Sequence, residues 1–335
     1  MSRRPTTLCL RTILAPLGAG IALSILSSCF TGVESTPKID ASELKRAKVA
    51  RPTPEDAFLD AVVSARTSEW TPGRKLIVAD AKIRLVLTTA DGGALPDLTP
   101  GAVLTFRRFE PATALLGNEA ADAVFAADGY PELRYRIASS PAELTGENAP
   151  VVDVPFTVDP LLAERADSIV AERSGTMYIL SPLWYDAATE KDVGGYRLVS
   201  VRVDSVRPGN HIFPLKVYFH VADANLAKTD VGRGEKMVFM AHGGKAGVNT
   251  RTFASLFAFD EPRKRYPHIS DDVWALIVNS KVTEGMTKEE CRLALGSPSS
   301  VELTPTRTGD IERWGYSDGI YLMFNPEGIL MRYRL

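Results

Sequence analysis

Apolar and polar residues alternate along much of the middle of the chain, as expected of strands with one buried face. In the clearest case, Val199, Val201 and Val203 are separated by polar residues, Pro-Gly-Asn follows at 208–210, and a second alternating run covers 215–219. Because successive side chains of a strand point to opposite faces, this pattern predicts a β-hairpin with one buried face. Shorter runs that predict further strands lie at 75–79, 82–88, 102–109 and 177–180.

Helical periodicity interrupts the strand pattern at two places before residue 270. Four apolar residues share one face of a predicted helix over 56–65, and a second helix is predicted over 161–172. Since the second helix separates two groups of strands, we divide this part of the chain into a β-rich module at 56–165 and a second one at 166–269. SH3-like barrels are one architecture that modules of this length can adopt.

Residues 270–335 carry signals for two short helices followed by strands. Ser270 is an N-cap residue, Thr287 and Glu290 form a capping box, and Gly296 is a helix stop. A three-stranded antiparallel meander is predicted at 312–317, 320–324 and 329–335. The sequence therefore predicts an α+β protein, with two β-rich modules followed by a small domain of two helices and three strands.

The last predicted strand alternates basic and apolar residues. Because Arg332 and Arg334 alternate with Met331, Tyr333 and Leu335, the apolar set is expected to face the two helices. The polar residues that precede the meander are expected to form a loop.

The first 28 residues have the layout of a signal peptide. Three arginines come before or at the start of an apolar run over 12–26, which is shorter than the about 20 residues that a membrane-spanning helix needs. Leu-Ser-Ser-Cys at 26–29 resembles the lipobox of bacterial lipoproteins, and the resemblance implies cleavage before Cys29 and acylation of that cysteine. A secretory signal or an uncleaved anchor is the alternative.

An acylated Cys29 would attach a folded body to a membrane without spanning it. Residues 29–55 are rich in Ser, Thr, Lys, Glu and Pro and are predicted to be a flexible tether. Phe30 rather than Asp follows the cysteine, and in the sorting rule of some two-membrane bacteria this implies delivery to the outer membrane. We therefore expect a lipid-anchored protein of the bacterial cell envelope that faces the periplasm.

Composition and charge exclude some functions. The 335 residues include 39 basic and 41 acidic side chains, which gives no polycationic surface for nucleic acid. Cys291 is the one cysteine left after Cys29, and it shares a helical face with Ala294 and Leu295, so we expect a buried, unreactive thiol. Neither HExxH nor CxxC occurs, and no metal or other cofactor is predicted.

His242-Gly243-Gly244 is similar to the oxyanion loop of some esterases, but the Gly-x-Ser-x-Gly elbow that should accompany it is absent. We therefore expect a turn with a solvent-facing histidine and no catalytic residues. The alternative is a periplasmic enzyme or small-ligand-binding lipoprotein with its site in the central β region. Such a site would need acids and histidines that converge only in the fold.

Four motifs near the C-terminus occur together in a known family. They are Val-Thr-Glu-Gly-Met-Thr-Lys-Glu-Glu at 282–290, Leu-Gly-Ser-Pro at 295–298, Trp-Gly-Tyr at 314–316 and Tyr-Leu-Met-Phe at 321–324. With this set, residues 270–335 resemble the SmpA/OmlA, or BamE-like, lipoprotein domain. The resemblance covers about a fifth of the chain and implies protein binding in outer-membrane assembly or maintenance.

The sequence therefore predicts a non-enzymatic envelope lipoprotein that binds or bridges an envelope protein partner. The C-terminal domain is rich in the residue types that are favoured at interface anchors and offers no nucleophile with a base. The candidate partner-binding residues are Trp314, Tyr316, Tyr321 and Arg332. The competing interpretation, for Trp314 above all, is that these aromatic residues fill a small core.

Overall fold

Three antiparallel β-sheets, each with its own buried core, make up the described part of the chain. A computed structural model describes residues 53–91, 98–114, 117–173, 175–243, 251–307 and 309–335. Six helices accompany the sheets in these ranges, so the predicted combination of helices with β-rich antiparallel sheets is confirmed. The predicted signal peptide at 1–28, Cys29 and nearly all of the tether at 29–55 lie outside the described residues.

The first described residues pack in the core of the central unit, and the residues that follow pack in the core of the N-terminal unit. Helix α1 (Pro54–Phe58) is followed by Val62 in the central core and Ala65 in the N-terminal core. The prediction of a helix over 56–65 is therefore wrong beyond residue 58. Within the remaining segment, the carbonyl of Val62 accepts a 3.0 Å hydrogen bond from the amide of Gly243, and the chain directly after it, at 66–67, pairs with the distant segment at 150–151. These tertiary contacts override the local helical pattern.

The N-terminal unit is a six-stranded sheet over a core of aromatic side chains. The Trp70 ring packs edge-on against Phe106, with ring centroids 5.4 Å apart. A 3₁₀ helix at Ala81–Leu85 replaces most of the strand predicted over 82–88 because the Asp80 carboxylate caps the amide of Lys82. Its strands and helix are β1 (Lys75–Val78), β2 (Leu87–Thr89), β3 (Val103–Thr113), β4 (Glu119–Ala127), β5 (Tyr130–Ile137), α2 (Pro141–Thr145) and β6 (Thr157–Val158), in sheet order β2-β5-β4-β3-β1-β6.

The central unit is a second six-stranded sheet with a helix packed on it. Its elements are α3 (Pro160–Glu172), β7 (Met177–Ile179), β8 (Tyr185–Asp186), β9 (Val199–Pro208), β10 (Leu215–Val221), β11 (Lys236–Met240), α4 (Phe253–Leu256) and β12 (Phe257–Ala258), in sheet order β12-β7-β9-β10-β11-β8. The hairpin predicted from alternation is confirmed as β9 and β10. Because α3 buries Leu162 and Val170 in the central core, the division at 165/166 falls inside this helix and the central unit resumes at Pro160.

The C-terminal unit has two helices, as predicted, and four strands rather than three. Ser270 caps the first helix, and Thr287 opens the second with a capping box. The additional strand pairs along its whole length with its neighbour, and it escaped prediction because almost every side chain on it is exposed. The elements are α5 (Asp271–Val278), α6 (Lys288–Leu295), β13 (Ser300–Thr306), β14 (Gly309–Gly315), β15 (Tyr321–Phe324) and β16 (Leu330–Arg334), in sheet order β13-β14-β15-β16.

The last strand also differs from the prediction in the residues that it buries. Leu330 packs in the core under the helices, whereas Met331, Tyr333 and Leu335 are 40%, 38% and 54% exposed. A bulge opposite Phe324 shifts the register by one residue at this point, so the strand does not present a regular apolar face to the helices.

Candidate functional site

One face of the C-terminal sheet is covered by α5 and α6, and the other is open. Residues paired across neighbouring strands share a face, so one row of the open face runs from Glu302 through Arg313 and Met323 to Arg332. The next row contains Tyr321 and Arg334. We call the six side chains of these two rows the outer face: Glu302, Arg313, Tyr321, Met323, Arg332 and Arg334.

Charge on the outer face is uneven. Arg313 forms a 3.0 Å salt bridge with Glu302, and its guanidinium carbon lies 5.1 Å from the centroid of the Tyr321 ring. Arg332 and Arg334 are exposed, and no carboxylate of the described residues lies within salt-bridge distance of either. The outer face therefore combines a half-buried aromatic ring and a methionine with two arginines that have no acidic partner.

Two of the four predicted partner-binding residues belong to this outer face, namely Tyr321 and Arg332. Trp314 lies on the opposite face and is 1% exposed, with its ring 4.7 Å from Phe324 and its indole N–H donated to Glu312. Its burial removes Trp314 from any surface contact and supports the competing interpretation of a core residue.

Tyr316 is also not part of the outer face. Its hydroxyl donates a 3.1 Å hydrogen bond to the carbonyl oxygen of Gly296 at the end of α6. Burial, with a smaller contribution from Cys291, raises the pKa of Tyr316 to about 12. Cys291 itself is buried as expected, and burial raises the pKa of its thiol to about 12, which keeps it protonated and unreactive at neutral pH. These groups hold α6 to the sheet.

A second candidate site lies where the N-terminal and central units meet, and it includes His242, for which the sequence predicted only a turn. His242 follows β11 and is 4% exposed, so the expectation of a solvent-facing histidine is wrong. The backbone explains its burial: the amide of Gly243 donates a 3.0 Å hydrogen bond to Val62, and a Cβ atom at Gly243 would lie 2.3 Å from the Asp60 carbonyl oxygen. Glycine is therefore required here by close packing of two chain segments.

Ser64, Asp153 and His242 form a polar cluster at this junction. The Ser64 hydroxyl lies 2.8 Å from Oδ1 of Asp153 and 3.4 Å from Nε2 of His242. A serine nucleophile needs a histidine that accepts its proton and an acid that orients the histidine. Here the Ser64 hydroxyl donates its shorter hydrogen bond to the carboxylate of Asp153, and its longer contact is with a ring nitrogen of His242 whose role as donor or acceptor depends on the tautomer.

A buried ion pair lies beside this cluster. Arg74 forms a salt bridge with Asp159, and their side chains are 7% and 11% exposed. Asp159 also caps α3 by accepting a 3.0 Å hydrogen bond from the amide of Leu161. Burial raises the pKa of Asp159 although Arg74 acts in the opposite direction. The pair therefore connects the segment before β1 to the first helix of the central unit.

The cluster and the ion pair line one cavity of about 320 Å³, which we call the cleft cavity. Most of its wall is apolar, and it includes Trp70, Leu76 and Phe156. His211, from the loop between β9 and β10, packs against Phe156 with ring centroids 5.4 Å apart. The polar residues come from chain positions as far apart as 64 and 242, so no local motif could have shown that they lie together.

Comparison with known proteins adds no name to either site. No family model matches the chain, and no match was found among curated proteins or solved structures. In the described ranges, no helix is long and apolar enough to cross a membrane, and no three His, Cys, Asp or Glu side chains are grouped to hold a metal ion.

Proposed function

We propose that this chain is a lipid-anchored protein of the bacterial envelope whose C-terminal unit docks an acidic protein partner through the outer face. The observation that carries the proposal is the pair of exposed arginines, Arg332 and Arg334, that lack a carboxylate partner beside Tyr321 and Met323. The planar guanidinium of arginine can bind a carboxylate through two parallel hydrogen bonds in a fixed geometry, so it gives an interface specificity as well as charge. Tyrosine, methionine and arginine are also enriched at protein interfaces.

Membrane attachment is part of the same proposal and rests on the lipobox-like sequence that ends at Cys29. Phe30 supports delivery to the outer membrane, with the folded body in the periplasm. The resemblance of residues 270–335 to the BamE-like domain supports a role as a protein-binding or scaffolding component in outer-membrane assembly or maintenance. Replacing Cys29 with serine should abolish lipid labelling and leave an unprocessed precursor, and unchanged labelling would contradict the anchor.

A binding role is favoured over a catalytic one because neither Ser64 nor Cys291 shows the hydrogen-bond geometry of an activated nucleophile. Ser64 donates to Asp153 rather than to His242, and the Cys291 thiol is buried and protonated. The shorter hydrogen bond of the Ser64 hydroxyl thus goes to a carboxylate and not to a histidine, and the Cys291 thiol stays protonated, which supports a binding role.

Photo-cross-linking in intact cells tests the docking proposal. A photoreactive amino acid at Met323 should capture one envelope protein, identified by mass spectrometry, and the adduct should disappear in an Arg332→Glu/Arg334→Glu background. A control double reversal on the central unit, Arg202→Glu/Arg233→Glu, makes the same change of charge at two other exposed arginines, which pair with Asp204 and Asp230, and should leave the adduct intact.

Two results would overturn the proposal. One is an adduct that persists in the Arg332→Glu/Arg334→Glu background. The other is that no protein is captured while the purified Cys29→Ser chain sediments with phosphatidylglycerol vesicles in a manner that depends on the same two arginines. That second result would assign the outer face to an anionic bilayer instead of a protein.

A further inference from the structure

We propose that the acidic partner docks as an extended strand, which pairs with the free edge of β16 and places acids at alternate positions beside Arg332 and Arg334. The free edge is the side of β16 that faces away from β15, the one strand of the described residues that pairs with β16. This inference rests on the proposed docking function and deepens it, because it specifies the backbone conformation and the sequence pattern of the partner.

Hydrogen bonds within the sheet show which backbone groups β15 directs to β16. In an antiparallel pair, residues that exchange hydrogen bonds alternate with residues that do not. The amide of Tyr316 donates a 2.9 Å hydrogen bond to the carbonyl oxygen of Ile320, and the pairs that follow along β14 and β15 are regular. Alternation from this bond directs the backbone groups of Leu322 to β14 and those of Tyr321 and Met323 to β16.

The same alternation identifies the residue of β16 that faces outward. Tyr321 pairs with Arg334 and Met323 pairs with Arg332, so the two arginines direct their backbone groups to β15. Tyr333 lies between them, and its N–H and C=O therefore point to the free edge. Among the described residues, no backbone group bonds to either of them. The edge thus offers one donor and one acceptor directly between the two arginines.

The neighbouring part of this edge already pairs with another segment of the chain. The amide of Gly285 donates a 2.9 Å hydrogen bond to the carbonyl oxygen of Leu330, and the amide of Leu330 donates a 2.7 Å hydrogen bond to the carbonyl oxygen of Met286. Thr287 and Ile329 form an antiparallel bridge beside these bonds. The loop before α6 therefore covers the start of the edge, and the exposed remainder of β16 allows a partner strand to continue this pairing.

Side chains at the edge specify the sequence of the partner strand. Tyr333 pairs with Leu322, so it lies on the side of the sheet that carries the helices, and it is 38% exposed. A partner residue opposite Tyr333 shares this side, where an apolar side chain would cover the ring. The two neighbours of that residue lie beside Arg332 and Arg334 on the outer face. An extended segment with the order acid, apolar, acid therefore matches both the charge and the apolar surface of the edge.

The backbone of the edge favours a strand over a helix. A helix forms its hydrogen bonds within itself, so a helical partner would leave the N–H and C=O of Tyr333 without a partner. A strand satisfies both groups and brings its acids to the arginines in the same step. Residues two apart on a helix also do not share a face, so the acid, apolar, acid pattern suits a strand alone.

Two methylated peptides of identical composition test the pairing. The parent peptide, acetyl-Ser-Thr-Glu-Val-Glu-Thr-Ser-amide, is titrated into the purified Cys29→Ser chain at low salt, and binding is followed at the amide resonances of β15 and β16. Methylation of the valine amide removes the N–H that donates to Tyr333 and should weaken binding at least about fivefold. Methylation of the second glutamate amide removes an N–H that points away from the edge, and it should change binding less than about twofold.

A permuted peptide tests the alternation of acids. Acetyl-Ser-Thr-Glu-Glu-Val-Thr-Ser-amide has the same residues, but adjacent residues of a strand point to opposite faces, so only one acid can reach the outer face. It should bind about twofold to fivefold more weakly than the parent peptide. The Arg332→Gln/Arg334→Gln variant should bind both peptides weakly and without this difference.

Tyr333→Pro tests the edge from the side of the protein. Proline removes an N–H that points outward and no hydrogen bond to β15, so β15 should keep its amide protection. Tyr333→Thr is the matched control, because it also removes the ring but keeps the N–H. The parent peptide should bind the proline variant at least about fivefold more weakly than the threonine variant. If the proline variant does not fold, the two methylated peptides decide the question with Tyr333 in place.

The contrary results separate this inference from the docking function. If all four peptides bind equally and Arg332→Gln/Arg334→Gln weakens each of them, the outer face docks acids through side chains alone and the partner strand is refuted. If no peptide binds in a manner that depends on the two arginines, the docking function itself is contradicted. If the chain self-associates in sedimentation and Tyr333→Pro abolishes the association, a second copy occupies the edge and the assignment to a partner strand is wrong.

Discussion

The outer face of the C-terminal sheet and the corresponding face of the N-terminal sheet both carry three arginines, but only the N-terminal sheet pairs them all. On β3, β4 and β5, acids and arginines of neighbouring strands form a charge ladder. Its members are Arg108, Glu110, Asp122, Glu132, Arg134 and Arg136. On the outer face, Glu302 pairs with Arg313, and Arg332 and Arg334 have no acid of the described residues beside them.

This difference shows why exposure alone does not identify a binding surface. Arg108 is as open to solvent as many interface arginines, with a side chain 49% exposed, but Glu110 and Glu132 already hold its guanidinium. A partner would have to replace those contacts and desolvate two further acids. Arg332 and Arg334 can meet an acidic partner without such a loss. Pairing within the sheet, rather than exposure, therefore separates the two faces.

The largest expected effect compares the two sides of the C-terminal sheet itself. Trp314→Ala removes a fully buried ring that packs on Phe324, and it should cost about 3 to 5 kcal/mol of local stability. Tyr321→Ala, on the outer face, should change stability by less than about 1 kcal/mol and still weaken the cross-linked adduct. Native-state amide exchange of β14 and β15 measures the loss of local stability in both variants. Equal losses of protection would show that Tyr321 is a core residue and not a docking residue.

The next effect tests whether the charge ladder is structural. Asp122 has a side chain 6% exposed that pairs with Arg136 and lies 3.9 Å from Arg134. Asp122→Asn should cost about 2 to 3 kcal/mol, below the value for a fully buried pair because Arg136 is half exposed. Glu302→Gln is the matched change on the outer face and should cost less than about 1 kcal/mol. Native-state amide exchange of β4 and β13 measures the loss of stability in the two variants. Similar losses would show that the acids of the two faces are equally important for stability, which would contradict the comparison.

A smaller effect concerns binding to an acidic surface. Arg332→Gln/Arg334→Gln should weaken binding of the purified protein to immobilised polyglutamate about threefold to tenfold at low salt, with a smaller change at 0.5 M salt. Arg108→Gln/Arg136→Gln removes the same charge from the ladder and should change the affinity less than about twofold. If the two double variants lose the same affinity, net charge controls binding and the pairing of arginines does not.

Elements that depend on local chemistry were predictable from the sequence. Alternation of valines gave the β9–β10 hairpin, and the caps at Ser270 and Thr287 gave the starts of α5 and α6. Each of these signals lies within a few residues of the element that it specifies. Strand β13 has no such signal because its side chains are almost all exposed, so only its pairing with β14 reveals it.

The candidate sites were less predictable because they depend on tertiary contacts. Tyr321 and Arg332 could be selected from residue type, but the burial of Trp314 is set by helices that pack on one face of the sheet. The cleft cavity brings Ser64 to His242 across 178 positions of the chain. His242 is buried because Gly243 packs against the backbone near residue 60, a contact that local sequence does not encode.

The smallest expected effect is a change in the pKa of Glu132, which reports its ion pair with Arg108 directly. The hydrogen bond from Arg108 is the main cause that lowers the pKa of Glu132 below its usual range. In an NMR titration of the carboxyl carbon, Arg108→Gln should therefore raise the pKa of Glu132 toward the unperturbed value of about 4.3. Because the pKa is lowered on folding, Glu132 stabilises the folded state above about pH 4.3, and this contribution is lost as the pH falls through the pKa of the folded protein.

Arg332→Gln leaves the ladder intact and should not change the pKa of Glu132. If Glu132 titrates at the unperturbed value in the unmodified protein, its salt bridge with Arg108 does not persist in solution, and the N-terminal face would then offer Arg108 to a partner as freely as the outer face offers Arg332.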